Sequence, residues 1–331
     1  MAFFISARKA RLFVIFTLFM LFSCDNSTSN ENSAEKTALG GGYYIYNLIP
    51  DFLAYAGKAG CQGCNDKEKL WDSMLESKYS DFFNQIIYRN KSGDDRQAFK
   101  NSIIGSFWDD IVPNKLSDIS SLNKSIVQKI LDCRKSFSAT FKDFNPQCDH
   151  YITVSFSFNG KAASLNGNTV LAIGLENFKP GEPQLEFTIF HELYHLHHFS
   201  RNFSPSGALY RGIWAEGMAS YAQVLFCPGS YTYSQYLGFP GSKVDEIVNN
   251  FENLKKDVIE NIYSNDEAVK RAYLGMEDNS LGIPPGAGYY IGLRIVMELL
   301  DKGYTFTEMT LWNADKAAEM MNTILPGLKA G

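Results

Sequence analysis

The stretch Phe187 to Phe199, FTIFHELYHLHHF, decides how this chain is read. It contains His191-Glu192-Leu193-Tyr194-His195, an H-E-x-x-H arrangement. On a helix, side chains four positions apart share a face, about 5–6 Å apart at Cβ. Both imidazoles can therefore reach one ion at about 2.0–2.1 Å, the usual Zn–N distance. Glu192 follows the first of them, so its carboxylate can stand beside a metal and move protons there. Leu185, Ile189, Leu193 and Leu196 form an apolar stripe at helical spacing. That stripe predicts a core helix rather than a histidine-rich surface turn, and buried polar side chains in such a helix need partners. Four of the five histidines lie between 191 and 198.

A catalytic zinc site usually has three protein ligands. The third candidate is Glu216, in Trp214-Ala215-Glu216-Gly217-Met218, within a segment from Ile213 to Phe226 that also reads as a helix. Glu216 is its only acidic residue, and a lone carboxylate among Met218, Val224 and Leu225 is costly unless it is paired or bound to a metal. The competing reading is a glutamate near a helix start, favoured by the helix dipole.

H-E-x-x-H followed by a glutamate on a second helix resembles the gluzincin metallopeptidases. Ala215-Glu216-Gly217, with Gly288-Tyr289-Tyr290-Ile291-Gly292 near the end, resembles a family of zinc-dependent proteases that includes lipoproteins of the gliding-motility type. The similarity runs from about residue 150 to residue 303. It implies a zincin-like core, one Zn2+ held by His191, His195 and Glu216, and Glu192 as general base. Where better-known gluzincins place an aspartate four beyond the glutamate, to hold a ligand histidine, this chain has Ser220. The resemblance also makes Tyr289 the candidate donor to a developing oxyanion, and Tyr221 and His198 stand behind it; the plainer reading of each is as a packing residue.

Arg8, Lys9 and Arg11 precede an apolar run from Leu12 to Phe22. That run is shorter than the roughly twenty residues of a membrane span, so it reads as an export signal. Leu21-Phe22-Ser23-Cys24 resembles a bacterial lipobox, which implies acylation at Cys24. An uncleaved anchor and an ordinary cleavage site are the alternatives. The polar stretch from Asp25 through Gly42 is expected to be a tether. The expected organisation is thus a signal over 1–24, a tether over 25–42, a helical region over 43–149 and a catalytic region over 150–331. Such a chain would be exported and lipid-anchored, on the periplasmic face or the cell surface.

Residues 43–331 are enough for a substantial core, 14% of the chain is aromatic, and the formal charge of −5 comes with no basic patch. Nucleic acid is therefore not an expected partner; a peptide or protein substrate is. Beyond Cys24 there are Cys61, Cys64, Cys133, Cys148 and Cys227. Cys61 and Cys64 have the spacing of a redox pair, half a zinc site or a local disulfide. With no second C-x-x-C the disulfide is preferred, and Cys133–Cys148 is a candidate second bridge.

The fold expected is α+β, mostly helical, with a small sheet. Helices are predicted over 67–88, 99–111 (ended by Pro113), 125–141, 243–263 and 289–300, with a last one starting near a capping box at Thr305. Strands are predicted over 151–158 and 169–175, the second standing where a zincin's substrate-binding edge would be. His197 is expected to be exposed. Two other functions fit the sequence: a non-catalytic lipid-anchored envelope or motility assembly protein with a vestigial or structural zinc site, and a binding lipoprotein that holds a partner on its strands and aromatic surface.

Overall fold

The computed structural model describes residues 35–61, 66–201 and 203–331. The expected export signal over 1–24, with Cys24, and Cys64 lie outside the described residues. The fold is α+β, with one five-stranded mixed sheet and a majority of helix.

The strands are β1 (Glu35–Gly40), β2 (Tyr43–Asn47), β3 (Asp149–Thr153), β4 (Gly160–Leu165) and β5 (Asn168–Gly174). They lie in the order β1-β2-β3-β5-β4. The hairpins β1–β2 and β4–β5 are antiparallel; β2–β3 and β3–β5 are parallel. Residues 35–42, expected as tether, are thus strand and turn. Because β2 pairs with β3, with Ile45 opposite His150, one sheet crosses the expected boundary at residue 149. The expected strand over 151–158 ends at Thr153, and its remainder becomes a loop in which Phe156 takes a positive φ of 64°. The strand expected at the edge, β5, is interior. The edge is β4, whose GKAASL sequence lacks β-branched residues and gave little strand signal.

Between β2 and β3 the chain is helical in short pieces. These are α1 (Ile49–Ala59), α2 (Lys67–Trp71), α3 (Ser80–Phe82), α4 (Gly93–Ser106), α5 (Leu116–Asn123) and α6 (Ile126–Thr140). Wider π-helical turns over 72–76, 83–87 and 107–115 join several of them. The helix expected over 67–88 is broken accordingly. Pro113 sits inside the third π-helical turn rather than ending a helix; a five-residue hydrogen-bond step tolerates local irregularity that an α-helix does not.

The second half supplies α7 (Gln184–Phe199), α8 (Leu209–Phe226), α9 (Tyr233–Leu237), α10 (Gly241–Asn249), α11 (Phe251–Asn261), α12 (Glu267–Leu274), α13 (Ala287–Asp301), α14 (Phe306–Thr310) and α15 (Ala314–Ile324). The helix expected over 243–263 divides at Asn250 into α10 and α11. The capping box at Thr305 forms as expected, with Glu308 as its partner, but it opens only the short α14; Asn313 caps α15 separately.

Helix α8 is the hub, packing against α7, α12, α13 and α15. Small residues make this possible. A Cβ on Gly212 would stand 2.2 Å from Leu274 Cδ1, so the leucine of α12 packs into the space that a side chain would take. One continuous apolar core joins both halves, from Phe52, Trp71 and Phe107 to Ile213, Met218 and Ile295. Among the described residues, no helix is long and apolar enough to cross a membrane. Cys133, Cys148 and Cys227 are thiols, so the expected Cys133–Cys148 bridge is not formed. Cys148 instead lies 3.8 Å from His150 Nδ1.

Candidate metal centre

The apolar stripe predicted for the H-E-x-x-H segment is present. Leu185, Ile189, Leu193 and Leu196 are buried on α7, which turns His191 and His195 toward α8. Their Nε2 atoms stand 3.0 Å apart. Glu216, from α8, brings Oε2 to 3.1 Å from His191 Nε2 and 3.3 Å from His195 Nε2. In a tetrahedral site with ligands at 2.0–2.1 Å, neighbouring ligand atoms are about 3.3 Å apart. The three spacings match three corners of such a tetrahedron, and His191, His195 and Glu216 could hold a metal ion.

The two glycine motifs explain how Glu216 and Tyr289 arrive there. A Cβ on Gly217 would stand 2.3 Å from the Gly292 carbonyl carbon, and one on Gly292 would stand 2.3 Å from the Ile213 oxygen. Helices α8 and α13 thus cross backbone against backbone at this pair. Glu216 adjoins one glycine, and Tyr289 lies one turn before the other. The Tyr289 ring lies nearly parallel to that of His191, at 6.2 Å and 16°.

Electrostatics follow from this convergence. Burial would raise the Glu216 pKa, but His195 and His191 outweigh it and hold the carboxylate well below its usual range. Burial, followed by the Glu216 and Glu192 charges, pushes the Tyr289 hydroxyl well above its ordinary value, so it is a proton-bearing donor at neutral pH. Burial also raises Glu192 against the pull of both histidines. Glu192 lies beside the triad, with its Oε2 accepting the Ala162 N–H of β4 at 3.0 Å.

Ser220, the expected support for a ligand histidine, does not serve as one: its buried hydroxyl has no hydrogen-bond partner among the described residues. Gln223 takes that place, with its carboxamide nitrogen 2.8 Å from His191 Nδ1 while its oxygen lacks a partner. Half a turn about Cγ–Cδ exchanges the two atoms. The oxygen then accepts Nδ1–H and fixes the tautomer whose Nε2 lone pair faces the triad, the usual support for a metal-binding histidine. Gln223 was missed in the sequence, although it lies seven residues beyond Glu216 and so shares its helix face.

The other candidates are elsewhere. Tyr221, about 140° around α8 from Glu216, packs on Phe306 at 5.1 Å. His198 is fully buried and stacks on Phe203 at 4.2 Å; burial, with the nearby His195 and His197, lowers its pKa to about 3. His197 is not exposed as expected but 3% exposed, because Phe137, Phe141 and Phe144 from the amino-terminal half enclose it. A cleft of about 540 Å³ is lined by His191, Glu192, Gln223 and Tyr289 together with the start of β4, Phe239 and Pro285.

No protein-family model, curated protein or solved structure matches this chain.

Proposed function

We propose that this chain is a zinc-dependent metallopeptidase of the gluzincin type, built on a zincin-like core and hydrolysing peptide bonds in the cleft over α7. The observation that carries this reading is the tetrahedral spacing of His191 Nε2, His195 Nε2 and Glu216 Oε2, with an unligated carboxylate, Glu192, at their side. Two imidazole nitrogens and one carboxylate oxygen suit zinc. The buried Gln223, aimed at His191 Nδ1, supports the same fit.

Zinc at this position would supply Lewis acidity, polarising a substrate carbonyl and making water acidic enough to ionise near neutral pH. The rest of the chemistry belongs to the chain. Glu192 Oε1, the oxygen not bonded to Ala162, takes a proton from the attacking water. Glu192 then returns it to the amide nitrogen as the C–N bond breaks, so an acid and an amine leave. Tyr289, protonated and beside the triad, donates to the oxyanion formed from the carbonyl oxygen. The aromatic walls exclude water from the reacting groups. Export and lipid anchoring through Cys24, at the periplasmic face or cell surface, belong to the same proposal, as does membership of the protease family resembled.

The test is hydrolysis of a mixed peptide library by the zinc-loaded chain and by Glu192→Gln. Cleavage by the first and none by the second, at equal zinc content, supports the reading. Equal cleavage by both contradicts it.

A further inference from the structure

Two features outside the ligand triad concern Glu192. The Ala162 amide reaches its Oε2 at 3.0 Å, although Ala162 stands opposite Leu171 in the antiparallel pairing of β4 with β5. An amide directed at α7 is not spent on β5. Ala162 and Leu171 are therefore a non-hydrogen-bonded pair, and Ala162 N–H points off the free edge of the sheet. The second feature is Gly160. A Cβ there would stand 2.7 Å from Glu192 Cγ, 3.0 Å from its Oε1 and 2.6 Å from Thr188 Cγ2. Gly160 is not among the glycines with positive φ. Close approach to α7, rather than backbone conformation, is what the missing side chain serves.

The start of β4 is itself pinned. Asn159 O accepts the Gly174 amide at 2.9 Å, and Phe158 O accepts Asn177 Nδ2 at 3.0 Å and the Ser155 hydroxyl at 2.6 Å. The buried Glu176 carboxylate gathers the Ser155 and Phe156 amides at 2.7–3.1 Å. Strand β4 is thus a fixed surface, against which the Glu192 side chain is pressed at Cγ and hydrogen-bonded at Oε2.

We propose that the free edge of β4 is the seat of the general base, with Gly160 and Ala162 as positioning residues that fix the Glu192 carboxylate so that Oε1 faces the cleft. This rests on the metallopeptidase reading. A methyl group at 160 pushes the carboxylate off this seat. Loss of the 162 amide lets it turn. Neither change touches His191, His195 or Glu216, so both act on turnover and not on metal content.

Two measurements test this on the zinc-loaded chain. The first is residue-resolved amide hydrogen exchange in wild type and Glu192→Ala. An edge-strand amide facing away from its sheet has no ladder partner, so protection at Ala162 must come from Glu192. Ala162 is expected to exchange at least about tenfold faster in the variant, while the Lys161 and Ala163 amides, which face β5, are unchanged. The second is steady-state cleavage of a fluorogenic peptide by Gly160→Ala and Ala162→Pro, the proline being tolerated on an edge strand where its N–H is not in the ladder. Both are expected to lose about a hundredfold in kcat, the scale of a small misplacement of a reacting group, with KM and zinc stoichiometry unchanged. An Ala162 exchange rate indifferent to Glu192, or an undiminished kcat in Ala162→Pro, overturns the seat. A wild-type chain that binds zinc and protects Ala162 yet cleaves no peptide overturns the peptidase reading, and the positioning role with it.

Discussion

Two compact clusters of polar side chains among the described residues can be compared, and their difference shows what marks a candidate metal centre. In the amino-terminal half, the buried Lys100 faces Asp72, Glu76 at 3.3 Å and Glu68 at 3.6 Å, and Arg96 joins Glu76 from the other side. Cations and anions alternate there, so the cluster is closed upon itself. Burial would lower the Lys100 pKa, but its acidic neighbours raise it, and Glu76 is correspondingly lowered. The α7–α8 cluster is built otherwise. His191, His195 and Glu216 bring three possible ligand atoms within 3.3 Å of one another, with no lysine or arginine among them. Ordinary ion pairing explains the first arrangement; the second is a group that could hold a metal ion.

The comparison is broken most sharply by changing one charge in each cluster. Glu192→Gln is expected to lower kcat by about 10³-fold, within the range for a lost general base, with the melting temperature and zinc content unchanged. Lys100→Ala is expected to do the reverse. It leaves Asp72, itself half exposed, without its cation and Glu76 with Arg96 alone, and costs about 2 kcal/mol in urea unfolding, while the remaining folded protein keeps its kcat. Should Lys100→Ala abolish activity in chains still folded, the two halves are coupled in a way the separate clusters do not account for.

Chelation separates them next. Zinc at a hundredfold excess over its Kd is expected to stabilise the chain by about 3 kcal/mol, and a chelator to remove that gain. His195→Ala makes the melting temperature indifferent to both treatments; Lys100→Ala does not. Gly292→Ala then asks whether the helix crossing holds the ligands. Overpacking there is expected to cost about 2 kcal/mol and to weaken zinc binding, because Glu216 sits beside the displaced backbone.

The smallest effect lies at the seam between the halves. Burial lowers the pKa of His197 to about 4, and burial with Arg134 lowers that of His150 to about 3, both from 6.5. Both values are depressed in the folded chain, so protons bind preferentially to the unfolded one. Stability present above pH 6.5 is then lost as pH falls through 6.5 toward 4 and 3. Melting curves across that window are expected to show His197→Phe losing less stability than wild type. Parallel curves would place the acid sensitivity elsewhere.

How much of this was legible in the sequence depends on whether the deciding interaction is local. Helix α7 could be read because its periodicity and the spacing of its candidate ligands sit in the same thirteen residues, Phe187 to Phe199. Glu216 stood out as a lone acid in an apolar helix. The glycines of the two motifs were visible, but their purpose, a backbone crossing of α8 on α13, is a relation between segments some seventy residues apart. His197 was misjudged for the same reason, since the rings that cover it come from residues 137–144. Strand β4 went unread because its pairing with β5, rather than side-chain propensity, makes it a strand. Ser220 was read by analogy of position and Gln223 was missed, whereas reach decided: the longer carboxamide spans the gap to His191.

The most direct test of the metal centre is the metal content of the purified chain by mass spectrometry, alongside Glu216→Ala, His195→Ala and Glu192→Gln. One zinc per wild-type chain is expected, retained in Glu192→Gln and lost in the other two. No divalent metal in the wild type, or full zinc occupancy in Glu216→Ala, would contradict the account.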